Sequence, residues 1–314
     1  MSAPRYPSAP DVPLFVYGSL RRGELAHRQI AGLVAAALPA TAHGLQLSVR
    51  DGLPFAYPED RQAVDGDLLW PEHERLNEFY KLVRDYEGTE LYSETQLPVT
   101  TPDGKQIQAR AFLGKRATSA NPEPLHEHWT SAREPLFSAG LDAITDASHR
   151  HFEEGRHRLP ADHPDFWPRL IPLQGLYLVL CSVLERYTTL VFGPTVEPMK
   201  RIAKLRDDAD ALEAASLADP PPLRVFDSRD AEQRYNAPGR KSFDAWYQVR
   251  SNLTHRGKAG GIHDFEIVEK AVVGLHDAMR QLLAKQLPLS DASRTALASG
   301  NRLLRPVYRA TYGD

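Results

Sequence analysis

Apolar and polar residues follow two different patterns along this chain. Up to about residue 115 the apolar runs are short and are separated by turn-forming residues, as in PLFVYGSL, HGLQLSV and AVDGDLLW. Such runs predict β-strands, and the Pro-Asp-Gly sequence at 102–104 predicts a hairpin turn between two of them. One segment, PEHERLNEFYKLVRDYEG, instead has apolar residues at every third or fourth position, which predicts an amphipathic helix.

The pattern becomes helical in the second half of the chain. Long apolar or amphipathic runs follow one another from Asp165 onward, among them FWPRLIPLQGLYLVLCSVLERYTTLVFG and DFEIVEKAVVGLHDAMRQLLAKQL. We therefore predict an α+β protein in which a small, mixed, β-barrel-like domain is followed by an all-α helical bundle. The predicted boundaries are 13–118 for the first domain, 119–160 for a helical connector, 161–288 for the helical bundle and 289–314 for a loosely held C-terminal tail.

Composition narrows the class of protein. The 314 residues carry a net charge of −3, which does not suggest a nucleic-acid partner, although a local basic patch remains compatible with one. The single cysteine, Cys181, excludes a disulfide within the chain and a cysteine zinc site, and it fits a reducing compartment. No segment has the roughly 18 apolar residues of a membrane span, and the initial stretch MSAPRYPSAPDVP lacks the apolar core of a signal peptide. We expect a cytoplasmic protein with no membrane partner.

The first candidate site is the stretch LFVYGSLRRG, in which a predicted strand runs into Tyr17, Gly18, Ser19 and Leu20. A glycine has no side chain to block the approach of a ligand to the backbone. A turn of this kind can hold a carboxylate through backbone N–H donors. The same residues also fit a simple junction between a strand and a loop, so the short motif alone leaves both interpretations open.

Three further segments give this motif a context: VDGDLLW, LVRDYEG and LYSETQLPV. Together with the Tyr-Gly-Ser-Leu turn, their order and spacing resemble the gamma-glutamylcyclotransferase-like family, also known for its AIG2-like members. In that family a Gly-Asp or Gly-Glu pair precedes a strand, here Gly66 and Asp67. An essential glutamate at a helix end is followed by a tyrosine, here Glu87 and Tyr92. The resemblance covers roughly residues 13 to 115.

The resemblance implies an intramolecular reaction, in which the α-amine of a γ-glutamyl group attacks its own γ-carbonyl and 5-oxoproline forms. Glu87 would be the general base and acid, the Tyr-Gly-Ser-Leu turn would hold the α-carboxylate, and Tyr92 would contact the substrate. No metal or cofactor is required. The alternative for Glu87 is a solvated carboxylate in the last turn of a helix. Family members often have a basic residue where this chain has Glu94, and with Asp85 and Glu90 this difference predicts an acidic corner and leaves the substrate open.

The second candidate site is YQVRSNLTHRGK, at the end of a predicted helix. With the apolar helices around it, over about residues 163 to 287, it resembles the HEPN superfamily, whose ribonuclease members carry an arginine and a histidine separated by four to six residues. The resemblance implies a homodimer, formed through the helical domain, that cleaves RNA without a metal as a toxin or defence effector. His255 would move protons, Arg250 would bind phosphate and Asn252 would orient either. Five helical residues separate Arg250 from His255 by about 140°, so a shared site requires the helix to end near Thr254.

Three functional interpretations follow. In the first, the N-terminal domain is a working cyclotransferase and the helices only dimerise it, which a buried Glu87 facing a pocket beside Gly18 and Ser19 would favour. In the second, the helical domain cleaves RNA, which a basic cleft holding Arg250 and His255 would favour. In the third, both sites are vestigial and the protein is a binding module, which a filled N-terminal pocket and a buried, hydrogen-bonded Arg250 would favour.

Overall fold

The structure is a computed structural model of the chain, and it describes residues 12–50, 52–88, 90–115, 123–125, 128–154, 158–227, 234–256 and 262–313. The chain divides into two compact units. The first consists of Met1–Glu134 with Thr189–Val196, and the second of Pro135–Thr188 with Glu197–Asp314. One short downstream segment therefore belongs to the first unit, although about fifty residues separate it from the rest of that unit along the chain.

Strands dominate the first unit. They are β1 (Leu14–Val16), β2 (Val34–Arg50), β3 (Leu53–Pro71), β4 (Tyr92–Thr100), β5 (Gln106–Gly114) and β6 (Glu123–Pro124), with one helix, α1 (Leu76–Glu87). Neighbouring strands pair in the order β3-β1-β5-β4-β2, and β2 also pairs with β3, so five strands close into a barrel-like sheet. The pairing of β1 with β5 is parallel and the other pairings are antiparallel. The predicted α+β class and barrel-like sheet are confirmed.

The core of the first unit explains why α1 forms where it does. All three residues of β1 are buried, as expected for a central strand. Helix α1 turns Phe79 and Val83 inward, one turn apart, and both are fully buried against the aromatic and aliphatic residues of the sheet. The helix ends at Gly88, whose φ of 74° favours glycine. This packing fixes the C-terminal end of α1 over the end of β1.

Helices dominate the second unit. They are α2 (Ala139–Glu154), α3 (Phe166–Phe192), α4 (Pro198–Lys204), α5 (Ala209–Leu217), α6 (Ser242–Arg256), α7 (Ile262–Gln286), α8 (Asp291–Leu297) and α9 (Arg305–Tyr312), and the last four residues of α3 fall in the first unit. The prediction that this part is all-α is wrong, because β7 (Leu223–Phe226) and β8 (Arg234–Ala237) pair as an antiparallel hairpin. In β7 buried and exposed residues alternate, which is the two-residue period of a strand.

Two of the predicted boundaries differ from the observed grouping. The predicted connector contains α2, which lies in the second unit with Leu141 and Phe152 fully buried. The predicted loose tail is held in place, because the buried Asp277 carboxylate accepts hydrogen bonds from the backbone N–H groups of Leu304 and Arg305, at 2.8 Å each. This carboxylate caps the N-terminus of α9, which the sequence pattern of the tail alone does not reveal.

Helix α3 is long and apolar enough to cross a membrane by length and composition, with a mean hydropathy of 1.3 over its most apolar 18 residues. The pattern of apolar residues predicted no membrane-spanning segment. Within the structure 56% of that window is buried, as in a core helix. Tyr177, Leu180 and Leu184 are among its fully buried residues.

Candidate active site

The Tyr-Gly-Ser-Leu motif forms a tight turn at the end of β1. The N–H of Arg21 donates to the carbonyl of Gly18 at 3.0 Å and closes the turn. A Cβ atom on Gly18 would lie 2.5 Å from Cγ of Pro54, so only glycine fits under the start of β3. No described residue accepts a hydrogen bond from the N–H of Ser19 or Leu20. These two N–H groups are therefore available to a ligand.

The Gly66–Asp67 pair holds this turn from the neighbouring strand. Val16 lies opposite Asp67 in the β1–β3 pairing. The buried Asp67 carboxylate accepts from the backbone N–H and from the guanidinium of Arg22, each at 3.1 Å, and lies 3.7 Å from Nε of Arg21. Two arginines follow the motif because one buried carboxylate anchors both of them. A Cβ atom on Gly66 would lie 2.3 Å from the carbonyl oxygen of Val16, so this glycine permits the close approach of the two strands.

Glu87 is the last residue of α1 and lines a cavity with Tyr17, Gly18, Ser19 and Leu20. The cavity has a volume of about 20 Å³, and its other walls are mainly apolar. The Glu87 side chain is half-buried, and burial raises the pKa of its carboxyl from 4.5 to about 8. No described residue donates a hydrogen bond to this carboxyl. The arrangement is thus an ionisable group of nearly neutral pKa in a small pocket.

Two tyrosines line the same cavity but are committed to the backbone. The hydroxyl of Tyr17 donates to the carbonyl of Phe112 at 2.5 Å, and that of Tyr92 donates to the carbonyl of Pro54 at 3.0 Å. Burial raises the pKa of both phenols well above its usual range, and the nearby Glu87 charge raises it further. Both hydroxyls therefore stay protonated, and their contribution is to position the walls rather than to transfer protons.

A third tyrosine, Tyr86, connects the turn to the downstream segment of the first unit. Its hydroxyl donates to the carbonyl of Leu190 at 2.7 Å and lies 2.7 Å from Oγ of Ser19. A phenol has one proton, so Ser19 is the donor in the second bond. Thr195 also donates to the carbonyl of Asp85 at 2.8 Å, and Pro194 lines the cavity. Segment Thr189–Val196 thus forms one wall of the site.

Sequence reasoning missed this wall. Leu190 lies 104 residues from Tyr86 along the chain. The apolar pattern at the end of α3 indicates the end of a long helix and does not indicate a contact with the first domain. The Gly193–Pro194 pair after it was the available signal. Gly193 has a φ of 94°, and a Cβ atom there would lie 3.1 Å from the carbonyl oxygen of Tyr86, so this glycine permits close packing against α1.

Glu94 and Asp85 of the predicted acidic corner are paired with basic residues and lie outside the cavity lining. The carboxylate of Glu94 accepts from Arg84 at 3.0 Å and from Arg110 at 3.1 Å, and the hydrogen bond from Arg84 lowers the pKa of this carboxyl. Asp85 pairs with Lys81 at 3.0 Å. Neither carboxylate lines the cavity, so Glu87 is the charged residue among its walls. The departure from the family pattern at Glu94 therefore leaves the charge of the pocket unchanged.

The second candidate site is not assembled as predicted. Helix α6 runs to Arg256 rather than ending near Thr254, so positions 250 and 255 lie about 140° apart on one helix. Arg250 lies 3.3 Å from the carboxylate of Glu185, and its guanidinium stacks over the Tyr247 ring at 5.4 Å. The side chain of His255 lies outside the described residues.

Asn252 occupies a different place from Arg250. Its amide donates to the carbonyl of Phe226 at 3.0 Å and accepts from Gln248 at 3.1 Å. It lines a second cavity, of about 150 Å³, between β7, α3, α6 and α7. The structure therefore places Asn252 beside the β7–β8 hairpin, while Arg250 pairs with a residue of α3.

Among the residues that the structure describes, no group of three or more His, Cys, Asp or Glu side chains is arranged to hold a metal ion. Cys181 is buried, and burial raises the pKa of its thiol to about 12, so it stays protonated.

Comparisons with known proteins bear on the first unit. Residues 14–131 match the family model described as gamma-glutamyl cyclotransferase, AIG2-like. A solved structure named gamma-glutamyl cyclotransferase is 20% identical over 36% of this chain and 69% of its own, with a TM-score of 0.27. The uncharacterized protein PH0828 of Pyrococcus horikoshii is 19% identical over 37% of this chain and 86% of its own, with a TM-score of 0.28. The human uncharacterized protein loc79017 is 20% identical over 36% of this chain and 69% of its own, with a TM-score of 0.26.

The search of curated proteins found no match. The family match shows that the chain carries an AIG2-like gamma-glutamyl cyclotransferase domain at residues 14–131, and it confirms the resemblance of the N-terminal part. The comparisons give no support to the resemblance of the helical part to the HEPN superfamily.

Proposed function

We propose that the first unit converts a γ-glutamyl amide into 5-oxoproline and a free amine. The observation that carries this proposal is the position of Glu87, whose half-buried carboxyl lines the same cavity as the Tyr-Gly-Ser-Leu turn. The family match over residues 14–131 supports the class of reaction. Of the three interpretations of the sequence, these observations favour the first.

In this proposal the substrate α-carboxylate binds the backbone N–H groups of Ser19 and Leu20. Backbone donors in a turn form a site for an anion, and no described residue occupies these two. A cavity of about 20 Å³ has room for about one water molecule. A γ-glutamyl group therefore enters only when part of the wall moves, and Leu53–Pro54, which covers the turn, is the segment we expect to move.

The reaction needs one group that both accepts and returns a proton. The substrate α-amine attacks the γ-carbonyl carbon and forms the new C–N bond of the ring. The Glu87 carboxylate takes a proton from the attacking nitrogen and gives it to the nitrogen of the leaving amine as the original amide C–N bond breaks. The proton count is unchanged over the cycle, and Glu87 returns to its ionised form. Holding amine and carbonyl in one pocket supplies the orientation.

A pKa of about 8 suits such a group, because both of its protonation states are accessible near neutral pH. At pH 7 about one molecule in ten has the ionised carboxyl that accepts the proton. Turnover should therefore increase as the pH rises from 6 to 8.

The test is release of 5-oxoproline from γ-glutamyl dipeptides and γ-glutamylamines by the purified full chain, in EDTA. We expect the wild type to release it, Glu87→Gln to release none, and Glu94→Gln to keep activity because Glu94 does not line the cavity. Equal turnover by the wild type and Glu87→Gln would remove Glu87 from the mechanism. No product from any substrate would refute the proposed activity.

RNA cleavage by Arg250 and His255 stays a prediction of the sequence. No observation favours it, because Arg250 pairs with Glu185 and the two positions lie on different sides of α6. A comparison of wild type and His255→Ala for RNA cleavage in EDTA is its test.

A further inference from the structure

The exposed side of α3 carries no charge. Seven residues of this helix are exposed, and they are Trp167, Pro168, Ile171, Pro172, Gly175, Val179 and Ser182. Three of them are large hydrophobic residues, with 44%, 60% and 47% of Trp167, Ile171 and Val179 accessible. The water-facing side of a helix is normally covered by charged and polar residues, so an uncharged face indicates a surface that is covered in use.

These residues form one continuous band. Trp167, Ile171, Gly175 and Val179 are four positions apart, which shifts each by only about 40° around the helix. From Trp167 to Ser182 the band is about 22 Å long. Gly175 lies at its middle, and a Cβ atom there would have no neighbour within 4 Å. The centre of the band is therefore a shallow, open place where a second helix can come close.

We propose that this band is the contact between two copies of the chain, with the two α3 helices antiparallel and crossing at Gly175. Exposed apolar residues lie on both sides of Gly175, so a two-fold axis at that point covers them on both copies. Ile171 lies four residues before Gly175 and Val179 four residues after it. Across the two-fold axis, Ile171 of one copy therefore faces Val179 of the second copy.

The charges at the two ends agree with this arrangement. Asp165 precedes the band by two residues, and Glu185 and Arg186 follow it by three and four, at nearly equal distances from Gly175. Glu185 pairs with Arg250 of its own copy at 3.3 Å, so the C-terminal end of the band carries a net positive charge from Arg186. Antiparallel pairing brings Asp165 of one copy to Arg186 of the second copy, whereas parallel pairing brings like charges together. A bilayer fits less well, because Asp162 and Asp165 lie at the N-terminal end of the band, where a membrane-surface helix carries Lys or Arg.

A contact along about 22 Å of one helix is at the small end of stable protein interfaces. We therefore expect a dissociation constant in roughly the micromolar range. The measurement is sedimentation velocity of the full chain from about 1 to about 200 µM, which spans that range. The wild type should change from monomer to dimer. Ile171→Glu, at an exposed position, should weaken the dimer at least about tenfold, because it buries an unpaired charge.

Two further variants separate the interface from folding. Gly175→Leu should also weaken the dimer, although the described residues leave room for the side chain within one copy. Leu217→Glu changes a residue of α5 that is 60% exposed and outside the band, and its dimer should match the wild type. Circular dichroism checks that each variant is folded.

Three results would overturn the proposal. They are a wild type that stays monomeric at the highest concentration, a dimer that Ile171→Glu and Gly175→Leu leave unchanged, and a monomer that floats with vesicles of anionic or neutral lipid. The last result would assign the band to a membrane surface.

Discussion

Glu87→Gln should make the first unit more stable as well as inactive. Burial raises the pKa of the Glu87 carboxyl to about 8 from its ordinary value of 4.5, so the folded chain binds this proton more tightly than the unfolded chain does. The consequence is a stability that is highest below pH 4.5 and falls as the pH rises towards 8. Glutamine has the shape of the protonated acid and does not ionise. The variant should therefore escape this loss.

The size of the effect follows from the two pKa values. One pKa unit corresponds to about 1.4 kcal/mol, so the full shift corresponds to about 5 kcal/mol above pH 8. At pH 7, which is 2.5 units above the ordinary value of 4.5, the difference between Glu87→Gln and wild type should be about 3 kcal/mol. The carboxyl keeps partial contact with solvent, so these are upper values.

The assay is urea unfolding of wild type and variant at half-unit steps from pH 4.5 to 9, followed by a spectroscopic signal of the first unit. The stability difference should be small at the lowest pH, grow through neutral pH and level off above pH 8. Glu94→Gln is the matched control of opposite sign. The pKa of the Glu94 carboxyl is lowered from 4.5, chiefly by the hydrogen bond from Arg84, so that variant should be less stable than wild type throughout this pH range, and its deficit should shrink only below pH 4.5. A Glu87→Gln stability difference that is independent of pH would refute the reasoning.

Two other predictions concern the walls of the site. Tyr86→Phe removes the acceptor of the Ser19 hydroxyl and should cost about 1–3 kcal/mol in denaturant unfolding and raise KM for a γ-glutamyl amide; unchanged stability and KM would contradict the hydrogen-bond chain. Gly66→Ala should cost at least about 1–3 kcal/mol, because its Cβ would lie 2.7 Å from the Phe15 ring. Gly32→Ala, whose Cβ would meet no atom within 4 Å, should be tolerated, and equal losses for the two would contradict the packing argument.

Local patterns predicted the first unit well. The strand ends, the helix end at Glu87 and the Gly66–Asp67 pair are features of short segments, and their order along the chain carried the resemblance to a family. The hydrogen-bond partners of the site residues could not be predicted from such local patterns. That Tyr86 binds a carbonyl 104 residues away depends on tertiary packing, which no local period encodes.

In the second unit the outcome depended on where one helix ends and on two short strands. The second candidate site required α6 to end near Thr254. The exact ends of helices are the part of a pattern-based prediction that differs most often from the structure. Because α6 continues to Arg256, the spacing between Arg250 and His255 separates them instead of bringing them together. The β7–β8 hairpin was missed because its strands are four residues each, too short for their alternation to stand out.

The most direct measurement of the central claim is the initial rate of 5-oxoproline release as a function of pH, at saturating γ-glutamyl amide. If a Glu87 carboxyl with a pKa near 8 moves the proton, the wild-type rate rises as the pH increases from 6 towards 8, and Glu87→Gln is inactive throughout. A rate that is constant between pH 6 and 8, or that Glu87→Gln retains, would contradict the account.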